Sequence, residues 1–351
     1  MSSKATLKDV ARRAGVSYQT VSKVLRNQMR VSPEVRERIY AAVEELGYRP
    51  NVIARNLRAK SSHLIGYSWQ PDRQGYFNPI LEEFEQSIVC AAEEYGYHIL
   101  LFPQGEGAEQ EETYRDLVIT GRVDGFILSG IEYNDPRIPI LQKLQVPLVA
   151  FGRTQSEPPS AYVDVDGGIG VQQAVEHLLA QGHRRIAALA WPEYSRVGNE
   201  RLAGYFQAMA TAGLPVDPAW IVRGESDYNF GYMAMQQFLA LPPAQRPTAV
   251  VTMLDLIAIG AMRAIEERGM TVGRDIAVIG FDDTPVARYL KPALTSISQP
   301  AWEVGQHVVR LLVSQLSGET TGCQQLLLPS KLVIRESSLG YQPAEQERAH
   351  V

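Results

Sequence analysis

The chain has 351 residues, 45% of them apolar, and a formal net charge of −5. It is too long for one ordinary domain, it can bury sizeable cores, and no apolar run is long enough to span a bilayer. The net charge conceals an asymmetry: residues 1–60 hold 13 Lys and Arg against 5 Asp and Glu, so the other 291 residues hold 21 against 34. A basic head attracts phosphate through counterion release, while an acidic body stays off a duplex.

Residues 6–27, TLKDVARRAGVSYQTVSKVLRN, read as two short helices joined at Gly15. Thr6 can N-cap the first, with Asp9 as the other half of a capping box, and Val10, Ala11 and Ala14 share one face. Gly15 stops that helix and Ser17 caps the next. In the second helix Val21, Val24 and Leu25 form the buried stripe. Tyr18, Gln19, Ser22 and Lys23 lie opposite, offering amide, hydroxyl and cation near a helix N-terminus, as reading a major groove requires. A plain solvated polar face is the competing reading, and the charge asymmetry argues against it.

Ser32 and Pro33 open a third helix whose Val35, Ile39, Val43 and Leu46 recur at helical spacing, and Gly47 ends it. The connector Tyr48–Lys60, YRPNVIARNLRAK, reads alone as a solvated basic linker. Behind a helix-turn-helix, Leu57 among Arg55, Arg58 and Lys60 reads instead as an apolar wedge for a minor groove.

From His63 onward apolar β-rich runs alternate with helical segments. HLIGYSW precedes Pro79–Tyr95, YHILLFP a Glu-rich helix, and GFILSG Pro136–Leu144, before PLVAFG. A second series follows: Gly168–Gln181, IAALA, Glu200–Gly213, WIVRG, Phe230–Leu241, TAVVTM, Asp255–Arg268 and DIAVIGFDD. Such alternation predicts parallel sheets with helices on both faces, and the strands are too many for one six-stranded sheet. The fold class is therefore α/β, with two lobes behind a helical head. With cysteine only at Cys90 and Cys323, neither a disulfide framework nor a Cys-based metal site is expected. Both are read as buried thiols in a reducing cytoplasm, and residues 1–5 do not read as a secretion signal. The tail 341–351 reads as frayed.

Ligands of open α/β folds collect beyond the carboxyl ends of the strands. Those ends carry Trp69, Ser129, Arg153, Trp191, Asp282 and Asp283, and the following helix starts carry Tyr76, Phe77, Asn78 and Arg201. Arginine, carboxylate and aromatic faces together suit a sugar. Competing structural readings remain. Asp283 reads better as a cap before Pro285, Asp164 and Asp166 read as caps or as ligand groups, and Tyr228 and Trp191 could equally pack between lobes.

Catalysis is not expected. Asp282 and Asp283 are adjacent and cannot flank a glycosidic bond, DGGIG lacks the dinucleotide-loop spacing, and no metal-ligand or Ser-His pattern stands out. A sugar-binding transport component would carry a secretion signal and has no use for a basic helix-turn-helix.

TLKDVARRAGVS, YQTVSKVL, VSPEVRERI, AAVEELGYRPN and ARNLRAK in the head resemble the lac repressor/galactose repressor family of bacterial transcription regulators. So do RVDGFIL, GHRRIAAL, RLAGY, GAMRAIEERG, DIAVIGFDD and LTSISQP in the body. The resemblance implies a helix-turn-helix head over 1–47 and a hinge helix and linker over 48–61. Behind them it implies a two-lobed, periplasmic-binding-protein-like body, its N-terminal lobe 62–162 and 293–324, its C-terminal lobe 163–292 and 325–340. It implies a repressor of carbohydrate use that binds palindromic operator DNA as a homodimer and is switched by a small molecule, without cofactor or metal. A purine- or nucleoside-responsive corepressor type of the same fold is the alternative.

The implied DNA contacts are Thr6, Ser17, Tyr18, Gln19, Thr20, Ser22, Lys23, Asn27, Asn51, Ala54, Leu57 and Arg58. The implied effector contacts are Tyr76, Phe77, Ser129, Arg153, Trp191, Arg201, Tyr228 and Asp282. Leu254 and Leu256 depart from the pattern, standing where the lac repressor carries effector-binding Asn and Gln. Ala301 stands where an aromatic is usual, beside Trp302.

Overall fold

A computed structural model describes residues 5–25, 29–49, 61–69, 78–105, 107–319 and 324–341. The chain divides after Ser62 into two compact units, a head and a body.

In the head, α1 (Leu7–Ala14), α2 (Tyr18–Leu25) and α3 (Pro33–Glu45) enclose a core of Val10, Ala11, Ala14, Val21, Val24, Ile39, Ala42 and Tyr48. The expected capping box is present: Asp9 N–H donates to Thr6 Oγ1, and Thr6 N–H donates to Asp9 Oδ2 at 2.9 Å. Gly15 takes the left-handed conformation (φ 66°) that a residue with a Cβ resists, so α1 stops there. Thr20 N–H then donates to Ser17 Oγ at 3.0 Å, opening α2. Ser32 caps α3 through Val35 N–H, and Pro33 occupies its first turn.

The body elements in chain order are β1 (Leu64–Trp69), α4 (Pro79–Glu94), β2 (His98–Pro103), α5 (Gly107–Ile119), β3 (Gly125–Leu128), α6 (Arg137–Lys143), β4 (Leu148–Phe151) and β5 (Ala161–Asp166). Then come α7 (Gly167–Ala180), β6 (Ile186–Ala190), α8 (Arg196–Thr211), β7 (Ile221–Arg223), α9 (Tyr228–Ala240), β8 (Ala249–Thr252), α10 (Asp255–Glu267) and β9 (Ala277–Asp282). Last are β10 (Thr295–Ser298), α11 (Ala301–Leu316), β11 (Gln325–Pro329) and β12 (Lys331–Val333). Among the described residues the strands form two six-stranded sheets, ordered β11-β5-β4-β3-β1-β2 and β12-β10-β9-β8-β6-β7. Pairing is parallel throughout except between β10 and β12. Central strands are buried along their whole length (β3, β6, β8 and β9), as sheets covered by helices on both faces require.

The chain changes lobe at other places than the implied boundaries. β5 continues in the first sheet to Asp166, in register with β11 from Tyr162↔Gln325 to Asp166↔Pro329, so the first crossing lies at 166–167 and not 162. β10 pairs with β9, which moves the second crossing from 292 to 299–300. β11 belongs to the first sheet and β12 to the second, so the third crossing is at Ser330 and not 325. Ser330 Oγ donates to the Asp166 carbonyl at 2.6 Å, pinning two crossing strands side by side.

Two further expectations change. Cys90 is exposed, because Ile88, Ala91 and Ala92 take the core-facing phase of α4 and turn residue 90 outward; Cys323 and the tail from 342 lie outside the described residues. Asp283 caps no helix. Its carboxylate pairs with Arg335 at 2.6 Å and its N–H donates to Ser296 Oγ at 2.9 Å, while Thr284 precedes the short turn at Pro285–Arg288.

Candidate functional site

On the head, α2 buries Val21 and Val24 and leaves Tyr18, Gln19 and Lys23 exposed, with Thr20 and Ser22 half-buried. The exposed face begins at the helix N-terminus, where a rod lying in a groove presents its first turns to base edges. The Ser17 and Thr20 hydroxyls lie 2.8 Å apart, and Thr6 is tied to Asp9. Asn27, Asn51, Ala54, Leu57 and Arg58 lie outside the described residues.

In the body, both sheets direct their carboxyl ends at one cavity of about 180 Å³. This is room for one molecule of about the size of a single small ring. The first sheet supplies Ile131 and Glu132 after β3, Phe151 and Gly152 at the end of β4, and Asp164 on β5. The second supplies Trp191 after β6, Leu254 after β8, Asp282 at the end of β9 and Gln299 after β10, and α8 contributes Arg196, Glu200 and Arg201.

Arg201 is almost wholly buried. Its Nη1 donates to the Met253 carbonyl at 2.7 Å, and its guanidinium carbon lies 3.6 Å from the Phe281 ring centroid and 4.8 Å from that of Trp191. Gly167 leaves space for this, since a Cβ there would come within 3.1 Å of Arg201 Cγ. Asp282 accepts from Gln299 Nε2 at 2.6 Å, and burial pushes its carboxyl up to about 7 despite the nearby Arg201 charge. It holds φ 110°, a backbone strain of the kind that gathers at ligand sites.

Around them runs an ion-pair lattice joining the lobes. Arg153, just after β4, donates Nε to Asp164 at 2.9 Å and Nη2 to Glu200 at 2.8 Å. Arg196 donates Nη1 to Glu200 at 2.6 Å, Nε to the Ile131 carbonyl at 3.1 Å, and its backbone N–H to Glu132 at 2.6 Å.

The cavity thus brings together Trp191, Arg201 and Asp282 from the expected set, and Arg153 joins through Asp164 and Glu200. Ser129 stands apart, bonded to Tyr67, as does Tyr228, stacked on Tyr232 within α9. Tyr76 and Phe77 lie outside the described residues. Asp166 is a cap, accepting from Ile169 N–H, whereas Asp164 is an ion-pair partner in the cavity wall. Sequence reasoning missed Glu132, Arg196 and Glu200. It placed the start of α8 at Glu200, a turn late, although Ser195 is a good cap and Arg196–Glu200 has i,i+4 spacing.

Known proteins resemble the chain over nearly its whole length. Residues 6–51 match the family described as bacterial regulatory proteins, lacI family, and residues 175–338 match a periplasmic binding protein-like domain. The chain is 36% identical to the HTH-type transcriptional repressor CytR of Escherichia coli strain K12, over 95% of this chain and 96% of that one. Among solved structures it is similar to a regulatory protein from Chloroflexus aggregans, with 48% identity, 80% and 99% coverage and a TM-score of 0.76. It is also similar to a repressor dimer bound to operator and an anti-inducer, with 32% identity, 95% and 99% coverage and a TM-score of 0.82.

Proposed function

The chain belongs to the lacI family of bacterial regulatory proteins and is a DNA-binding transcription regulator, and on that premise we propose that a sugar bound between its two lobes sets its affinity for operator DNA. The observation that carries the reading is the pairing, across one small cavity, of Arg201 packed on Trp191 and Phe281 with a buried Asp282 held by Gln299. An aromatic wall takes the apolar face of a sugar ring, and a guanidinium and a carboxylate take its hydroxyls from opposite ends.

Gln19, Tyr18 and Lys23 read base edges, and Ser17, Thr20 and Thr6 hold backbone. One such helix covers few base pairs, so two copies of the chain read a palindromic site in the cytoplasm. Catalysis forms no part of the reading, because Asp282 and Asp283 face different partners, Gln299 and Arg335. A ligand moves DNA affinity only by its differential contact with two lobe arrangements.

The test starts from operator fragments selected out of random duplex DNA by the purified full chain. Thermal shift against a panel of sugars and nucleosides then finds binders, and fluorescence anisotropy reads operator affinity with each. A sugar that changes operator Kd by about 5–150-fold is the expected result. A nucleoside doing so in place of every sugar, or no change in operator Kd with any binder, overturns it.

A further inference from the structure

Among the described residues the cavity is lined by two guanidinium groups, Arg196 and Arg201, and by four carboxyl groups, Glu132, Asp164, Glu200 and Asp282, with Arg153 bound to Asp164 and Glu200. Arg153 and Arg196 are already matched. Arg153 lies between Asp164 and Glu200, and Arg196 between Glu200 at 2.6 Å and Asp164 at 3.6 Å, with Glu132 on its backbone N–H. The Arg201 charge acts on Asp282 to lower its carboxyl, against the larger rise that burial imposes. Even with Asp282 protonated, three positive groups meet three negative ones.

A phosphate brings about −1.5 to −2 charges and must find uncompensated cations once it leaves water. Among the described residues, Arg153 and Arg196 have no charge to spare for it. Two buried N–H groups of the cavity's lining residues, Trp191 Nε1 and Arg196 Nη2, find no acceptor among the described residues, and such groups call for a partner oxygen. Gly152 leaves room for the Arg196 guanidinium, since a Cβ there would stand 3.1 Å from Nη2.

We infer that the cleft selects uncharged, hydroxyl-bearing ligands and rejects their phosphorylated or carboxylated counterparts, and that Glu200, by consuming the charges of Arg153 and Arg196, is the residue that sets this preference. The inference rests on the proposed ligand cleft and narrows its ligand class. Glu200 bridges an arginine from each lobe, so its charge acts at the seam the ligand must fill.

The experiment measures binding of paired probes to the full chain: D-ribose with ribose 5-phosphate, D-glucose with glucose 6-phosphate, and adenosine with its 5′-monophosphate. Each pair is run on the wild type, Glu200→Gln and Glu132→Gln, the last supplying the test from the opposite lobe where the first fails to fold. In the wild type the uncharged member of any binding pair is expected to be tighter by at least about tenfold. Removing either carboxylate is expected to shrink that ratio by at least about fivefold, because a cationic charge is released to the cavity. A phosphorylated probe that binds the wild type as tightly as its parent overturns the inference, as does a ratio unchanged in both variants. A panel silent for every pair overturns it as well. If a sugar phosphate binds and moves operator affinity, the switch stands and only this charge preference falls; if an uncharged sugar binds without moving operator affinity, the preference stands and the switch falls.

Discussion

The guanidinium carbon of Arg201 lies 3.6 Å from the centroid of the Phe281 ring, with Nη1 fixed on the Met253 carbonyl 2.7 Å away. A planar, weakly hydrated cation stacks there; a lysine ammonium would neither stack nor hold that carbonyl while reaching the cavity. Arg201→Lys is expected to abolish the effect of any binding sugar on operator Kd and to lower stability by about 1–2 kcal/mol. Anisotropy with and without sugar, beside urea unfolding, checks both. A retained full response would remove Arg201 from the proposed contact set.

Burial pushes the Asp255 carboxyl up to about 6 and that of Asp282 to about 7, against an ordinary 3.8. Each therefore holds its proton in the folded chain at pH values where the unfolded chain has lost it. Stability from these groups is greatest at low pH and falls as pH rises between about 4 and 7, by at most about 1.4 kcal/mol per pH unit for each. The stability difference between wild type and Asp282→Asn should accordingly drift against the wild type across that window and level off above it. Denaturation curves at half-unit steps read the drift, and a difference that grows in favour of the wild type would show the carboxylate to be stabilised where it sits.

Gln19 stands exposed in the first turn of α2 while Val21 and Val24 are buried beneath it. Gln19→Ala is expected to cost about 1–3 kcal/mol on the selected operator and relax one base position, leaving random duplex nearly unaffected. Equal weakening on both DNAs would assign Gln19 to the phosphate backbone.

Gly204 lies where α8 crosses α7, and a Cβ added there would fall 1.9 Å from the Gly168 carbonyl oxygen. Helices so close have no slack, so Gly204→Ala is expected to cost about 3 kcal/mol or more. A thermal midpoint within a degree of wild type would mean that the two helices separate freely.

What the sequence determined by itself is local. Thr6 and Asp9 close a capping box, Gly15 ends α1, and helical or extended periodicity marks most elements, β5, β10, α11, β11 and β12 excepted, because neighbours a few residues apart decide these things. The charge split between head and body and the strand–helix alternation were equally open to reading. Only tertiary structure decided that β10 joins β9 and that β11 joins β5, since strand partners are chosen by pairing across long stretches of chain. The same holds for Asp283 on Arg335 and for Cys90 turned to solvent. Arg196 and Glu200 could be seen as an i,i+4 pair, but their partners Glu132, Arg153 and Asp164 come from the other lobe. A charge lattice of that kind has no sequence spacing: the long-range meeting of two sheet ends brings it together, and burial there makes every unmatched charge costly.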